Sequence, residues 1–205
     1  MKGLCHRFYG FRFRDRPDAD DSFFKSSESH LLDFAFSQDL KGLSDSGDLT
    51  LRRAYASDVN EILVLINGCA SSNLMLPRGP KYIYENIRDF AVVEADAEKA
   101  EPRIVACGSL HVLWEDIAEI RSLAVHPQFQ QRGLGSEIVR YLIEEAWKIR
   151  IEKVFAFTLE EEYFKKLGFE PKRREEFPSK VWDECVHCPK YFQCDETGLI
   201  FDCTQ

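Results

Sequence analysis

The sequence has no apolar run approaching the roughly 20 residues that a helix needs to cross a bilayer, so no membrane partner is expected. Met1 to Asp20 has no apolar core of the secretory kind. A basic excess is also missing, because the formal net charge is −8. A general nucleic-acid binder needs clustered Lys and Arg against phosphates, and none is expected here. An acidic protein can still hold a local basic pocket for a small acidic ligand. Internal repeats are absent. So are the three-glycine dinucleotide fingerprint and the Gly-Lys-Ser/Thr phosphate loop. The seven cysteines are odd in number, and only one Cys-x-x-Cys pair occurs among them. With no leader segment, reduced thiols in a cytoplasmic setting are the expectation.

What is present is a chain of 205 residues with 44% hydrophobic content, enough for one sizeable domain plus extras. Residues 1–48 mix phenylalanines (Phe8, Phe11, Phe13, Phe23, Phe24) with Asp and Ser runs, and end in the linker-like Ser44-Asp45-Ser46-Gly47-Asp48. They are expected to be an appendage, either a partly disordered tail or a segment whose phenylalanines dock on the domain or a second subunit. The main domain is expected over residues 49–176. A cysteine-rich tail, residues 177–205, is expected to close the substrate side.

From Leu49 the patterning becomes regular. Leu49 to Ala54 reads as a strand. Ser57 is expected to cap a helix, with Asp58 in its first turn and Val59, Ile62, Leu63 and Ile66 at helical spacing. Pro80 to Arg88 reads as a second helix. Phe90 to Glu94, Ile104 to Trp114 and Ala118 to Val125 read as strands. Gly133 to Ile149 is a long helix with Leu134, Ile138, Leu142 and Ala146 on one face. Val154 to Thr158, a short helix from Glu160 to Leu167, the stop at Gly168 and a strand from Phe169 follow. This order predicts a mixed α/β sheet whose central strand runs straight into the long helix.

The junction of that strand and helix carries the chemistry. It reads Ile120-Arg121-Ser122-Leu123-Ala124-Val125-His126-Pro127, then Gln130-Gln131-Arg132-Gly133-Leu134-Gly135-Ser136. Amides in a first helical turn have no intrahelical partner and sit at the positive end of the dipole. Glycines at 133 and 135 let a ligand approach them closely, and Arg132 adds charge. The turn suits a pyrophosphate. On local physics alone, an ordinary strand-to-helix turn is the competing reading.

Gln130-x-x-Gly133-x-Gly135 resembles the acetyl-CoA pyrophosphate motif of the GNAT superfamily of N-acetyltransferases. Glu119 to Val125 resembles that superfamily's splayed central strand, and Phe164-Lys165-Lys166-Leu167-Gly168-Phe169 its late helix with a Gly-Phe ending. The resemblance covers about residues 49–175. It implies the GNAT fold: a mixed, mostly antiparallel sheet with a splayed central strand, flanked by helices. It also implies acetyl-CoA as co-substrate, held by Leu123, Ala124, Val125, Gln130, Gln131, Arg132, Gly133, Leu134, Gly135 and Ser136. The backbone of Leu123 and Val125 would pair with the pantetheine arm as with an added strand.

Further strings narrow the resemblance: Leu74-Met75-Leu76-Pro77-Arg78, Cys107 to Trp114, Glu119 to Val125, and Ser179-Lys180-Val181-Trp182 followed by Cys185-x-x-Cys188-Pro189. Together they resemble the short, stand-alone N-acetylglutamate synthases of arginine biosynthesis. That implies L-glutamate as acceptor. A dicarboxylate needs two cationic anchors, for which Arg78, Arg121 and Lys180 are the candidates, beside Ser122. Glu119 matches the position where many GNAT enzymes carry a general-base Glu, which often works through water, and an amide of Leu123 or Val125 is the expected oxyanion donor. The usual tyrosine acid is replaced by Phe164, and the adjacent Tyr163 would be turned about 100° away on a helix. Another small amine, glutamine, a protein N-terminus, and a non-catalytic acetyl-CoA sensor are the competing readings. A homodimer is compatible with the sequence.

Cys185, Cys188, Cys194 and Cys203 supply four thiols near the C-terminus. A structural zinc, free thiols packed in a small tail and redox pairing are all open readings.

Overall fold

The computed structural model describes residues 49–96, 102–177, 185–188 and 190–204. Residues 1–48 and Lys180 lie outside the described residues. Seven strands make one sheet: β1 (Leu49–Arg53), β2 (Phe90–Ala95), β3 (Ile104–Val112), β4 (Ile117–Val125), β5 (Lys153–Thr158), β6 (Glu170–Lys172) and β7 (Thr197–Asp202). Their order across the sheet is β1-β2-β3-β4-β5-β7-β6. Only β4 and β5 run parallel; every other neighbouring pair is antiparallel. The mixed α/β expectation holds for these elements.

Two features of β4 shape the site. Its pairing with β5 ends after Ile117↔Lys153, Ala118↔Val154 and Glu119↔Phe155, while β5 continues against β7. The two central strands therefore part beyond Glu119. Register with β3 also slips, from Ser109↔Arg121 to Cys107↔Ala124. The extra residue on β4 is a bulge, and Ser122 within it has φ 53. A non-glycine residue rarely occupies that left-handed region.

Each face of the sheet is covered by helices with matching apolar stripes. Helix α3 (Leu134–Lys148) buries Leu134, Ile138, Val139, Leu142, Ile143 and Ala146 against Ala106, Leu110, Ala118 and Ile120. On the other face, α1 (Val59–Ser71) and α2 (Pro80–Glu85) bury Val59, Ile62, Ile66 and Ile83 against Val92, Ile104, Cys107 and Ala124. The short α4 (Glu161–Lys165) packs Phe164 into the α3-side core.

Two expectations are corrected. Ser57 does not cap α1: it lies in a single 3-10 turn, Ala56–Asp58, ahead of the helix. The second helix ends at Glu85 and is followed by a separate 3-10 turn, Ile87–Asp89. The cysteine-rich tail contributes β7, which inserts between β5 and β6 and buries Leu199 completely.

Asp58 anchors the start of α1 in a charge network. Its carboxylate accepts from the Tyr55 amide at 2.8 Å, Arg52 Nη1 at 2.7 Å and Arg103 Nη2 at 2.7 Å. Burial alone would raise its pKa; the hydrogen bonds from Arg52, Tyr55 and Arg103 outweigh that and hold it at about 2, against 3.8 ordinarily. Its stabilising contribution is therefore full above pH 3.8 and lost as pH falls through about 2. Asp58→Ala removes one of the two carboxylates that Arg52 and Arg103 share, leaving Glu94 to both, and is expected to cost about 1–3 kcal/mol in denaturant unfolding at neutral pH. That cost is expected to shrink towards pH 2. A penalty below about 1 kcal/mol at neutral pH would remove this network from the account of stability.

Candidate active site

The strand-to-helix turn forms as the sequence suggests. Gln131 and Gly133 take positive φ, 61° and 82°, and turn the chain into α3. The first intrahelical bond runs from the Glu137 amide to the Gly133 carbonyl at 3.0 Å. The amides of Leu134, Gly135 and Ser136 precede it and face outward at the positive end of the dipole. Gly135 has little space: a Cβ there would sit 2.8 Å from the Tyr163 hydroxyl. That hydroxyl is also 3.4 Å from Ser136 Oγ, and burial raises its pKa. Tyr163 thus borders the glycine turn, while Phe164 is core. Gln130 reaches back to the Val125 carbonyl at 3.3 Å, and Arg132 lies over the Phe129 ring with Cζ 4.8 Å from its centroid.

The backbone leading into this turn is exposed to the gap between β4 and β5. The His126 amide donates to the Val105 carbonyl on β3. Strand groups alternate in direction, so Val125 and Leu123 turn their backbone groups away from β3, into the gap. Along that edge of β4 the Val125 carbonyl accepts from Gln130 Nε2 at 3.3 Å.

Glu119 stands where the gap begins, 9% exposed, on the face covered by α1 and α2. Arg121, two residues on, shares that face and donates to Glu119 Oε2 from Nε at 2.7 Å and from Nη2 at 2.6 Å. Arg78 arrives from the loop between α1 and α2. Asn67 on α1 fixes that loop by two bonds: Asn67 Nδ2 donates to the Arg78 carbonyl at 3.1 Å, and the Arg78 amide donates to Asn67 Oδ1 at 3.0 Å. The Arg78 guanidinium lies 4.3 Å from the Tyr82 ring centroid.

His111 joins these groups, and sequence reasoning missed it. It lies on β3 opposite Glu119. Its Nε2 is 3.0 Å from Ser109 Oγ and 3.2 Å from the Tyr82 hydroxyl, and its Nδ1 is 3.6 Å from Asp89 Oδ2. Burial first, then the charges of Arg121 and Arg78, lower its pKa from 6.5 to about 3. The ring is neutral through the physiological range. A legible signal existed: Ser109 and His111 are the polar alternates of an otherwise apolar strand, on the face opposite Leu110.

The late cysteines do not gather into one set. Cys185 and Cys194 line a cavity of about 170 Å³ with Thr197 and Gly198, at the start of β7. Cys203 follows the end of β7, six residues beyond Thr197, or roughly 20 Å along an extended strand. It packs against the α3-side core, where burial pushes its thiol up to about 11. Zinc requires thiolates about 2.3 Å from one centre, so the four-cysteine site is not formed. Among the described residues, no three His, Cys, Asp or Glu side chains are placed to hold a metal ion. Also among them, no helix is long and apolar enough to cross a membrane.

Comparison with known proteins agrees with this geometry. The sequence profile described as "Acetyltransferase (GNAT) family" matches residues 66–169. An amino-acid acetyltransferase of Mycobacterium tuberculosis is 35% identical over 134 residues, 65% of this chain and 75% of that protein. The crystal structure of Rv2747 from the same organism, in complex with CoA and NLQ, superposes with a TM-score of 0.62 at 28% identity, covering 75% of this chain and 98% of that one. N-acetylglutamate synthase from Neisseria gonorrhoeae, complexed with coenzyme A and L-arginine, superposes with a TM-score of 0.62 at 25% identity. That match covers 76% of this chain but only 33% of the longer one. With its parted central strands, its glycine turn at the head of α3 and a profile match spanning half its length, the chain belongs to the GNAT acetyltransferase family.

Proposed function

We propose that this chain is an amino-acid N-acetyltransferase that moves the acetyl group of acetyl-CoA to the α-amino group of L-glutamate, giving N-acetyl-L-glutamate and CoA. The observation that carries this reading is the gathering of Arg78, Arg121 and Glu119 around His111, beside the gap between β4 and β5. Two guanidinium groups suit an acceptor with two carboxylates. A sensor that only binds acetyl-CoA needs no such convergence. The name of the mycobacterial relative and the glutamate product of the neisserial enzyme's reaction, printed in its name, support the same class. The corresponding biological role is the entry step of arginine biosynthesis.

In this reading, the outward amides of Leu134, Gly135 and Ser136 hold the pyrophosphate, and Arg132 and Gln130 flank it. Val125 and Leu123 pair with the pantetheine arm. Arg78 and Arg121 fix the acceptor's carboxylates so that its amine faces the thioester, beside Ser122 in the bulge. Glu119, through a water molecule, takes the ammonium proton. The free amine attacks the carbonyl carbon, and an amide of Leu123 or Val125 receives the developing oxyanion. As the intermediate collapses to the amide, the C–S bond breaks and the nitrogen's surplus proton passes through water to the leaving thiolate, giving CoA. Lys180, the third candidate cation, remains a proposed substrate ligand.

The test is CoA release measured across the amino acids, followed by Arg78→Ala. Loss of one charge-assisted pair is expected to raise the KM for glutamate about 10- to 150-fold, with the KM for acetyl-CoA nearly unchanged. Equal use of glutamine and glutamate by the wild-type protein would reject glutamate as the specific acceptor and leave the acetyltransferase reading standing.

A further inference from the structure

Arg78 and Arg121 come from distant parts of the chain, yet one row of side chains links them. The Arg78 guanidinium rests on the Tyr82 ring, and the Tyr82 hydroxyl meets His111 Nε2 at 3.2 Å. With its one proton on the Arg121 carbonyl at 3.1 Å, Ser109 Oγ accepts from Nε2–H at 3.0 Å, a proton that the Tyr82 oxygen shares. That carbonyl sits at the edge of the β4 bulge, next to Ser122. His111, whose side chain is 8% exposed, is the midpoint of the row.

We propose that His111 is a positioning residue for acceptor specificity: by holding Tyr82 on one side and Ser109 on the other, it sets the spacing between Arg78 and Arg121. This rests on the reading that those two arginines hold the acceptor's carboxylates. The location calls for a group that hydrogen-bonds at that reach without carrying charge. A lysine or arginine there would place a third cation between two guanidinium groups in a nearly buried position. The neutral imidazole meets both requirements, and the depressed pKa described above is what its surroundings produce. Acceptor geometry is then built into the sheet and α2, and does not depend on where a long arginine side chain happens to settle.

Side-chain reach supplies the test. Glutamine at position 111 places a polar group near the place of Nε2, and asparagine places one near Nδ1. Steady-state kinetics would be measured with the wild-type protein, His111→Asn, His111→Gln and Tyr82→Phe, with glutamate and acetyl-CoA varied in turn. His111→Asn is expected to raise the KM for glutamate roughly 10-fold or more, with kcat within about threefold and the KM for acetyl-CoA unchanged. His111→Gln is expected to restore glutamate KM to within about threefold of wild type. Tyr82→Phe keeps the ring under Arg78 but removes the hydroxyl, so it should raise glutamate KM and add little to His111→Asn in the double variant. If His111→Asn does not fold, Tyr82→Phe decides alone, and an unchanged glutamate KM overturns the proposal. It is equally overturned if asparagine and glutamine behave alike, or if the loss falls on kcat with KM unmoved. A wild-type protein that acetylates no amino acid would overturn the acceptor reading itself, and this proposal with it; an active wild type with unaffected variants would overturn this proposal alone.

Discussion

Glu119→Gln is expected to lower kcat by roughly 10² or more while acetyl-CoA still binds normally. The substitution is nearly isosteric and keeps an oxygen for Arg121, which donates to the carboxylate at 2.6 and 2.7 Å. What it removes is the ability to accept a proton. The acceptor's amine is largely protonated at neutral pH, so the loss should appear in turnover. If Glu119 is the base, the acidic limb of the pH–rate profile should flatten as well. Two features favour this residue. It is nearly buried, and it marks the last pair between β4 and β5, where the gap opens. Near-wild-type turnover with an unchanged acidic limb would remove Glu119 from the mechanism. A rise in glutamate KM with normal kcat would instead assign it to holding Arg121.

The parts of the fold written in local periodicity were legible in the sequence. Leu134, Ile138, Leu142 and Ala146 recur at helical spacing, and they are the buried stripe of α3. The glycine turn was legible for a similar reason, since φ 82 at Gly133 and the tight space at Gly135 are demands that glycine alone meets easily. What depended on distant partners was not legible. Strand β7 lies among polar and cysteine residues, and its place is set by pairing with β5, about 40 positions earlier, through contacts such as Phe155↔Ile200. Asp58 read as a first-turn residue favoured by the helix dipole. Its larger role follows from Arg52 and Arg103, which the sheet brings to it from β1 and from the start of β3. His111 was hidden likewise. A histidine in a strand is commonly half-exposed, and this one is buried because it lies under the Tyr82 contact from α2 and beside Ser109.

Gly135→Asp is expected to weaken acetyl-CoA binding more than about 100-fold, or about 2.7 kcal/mol, in titration calorimetry. Two effects act together. Gly135 lies in the first turn of α3, so the new carboxylate would add negative charge beside the outward amides proposed to hold the pyrophosphate. The Cβ also needs room, since it would come within 2.8 Å of the Tyr163 hydroxyl. Gly135→Ala separates the two, because it adds the bulk without the charge. The hydroxyl is the far end of a side chain and can yield, so the alanine variant should lose much less affinity than the aspartate variant. Gly133 differs in kind. Its Cβ would meet nothing within 4 Å, but its φ of 82 is costly for any other residue. Gly133→Ala should therefore cost stability of the turn, on the order of 1 kcal/mol, with a modest effect on binding. Unchanged acetyl-CoA affinity in folded Gly135→Asp protein would mean that the head of α3 is not the pyrophosphate site. Binding would then have to be sought elsewhere along the edge of β4 that faces the gap, and the roles given to Gln130 and Arg132 would fall with the turn.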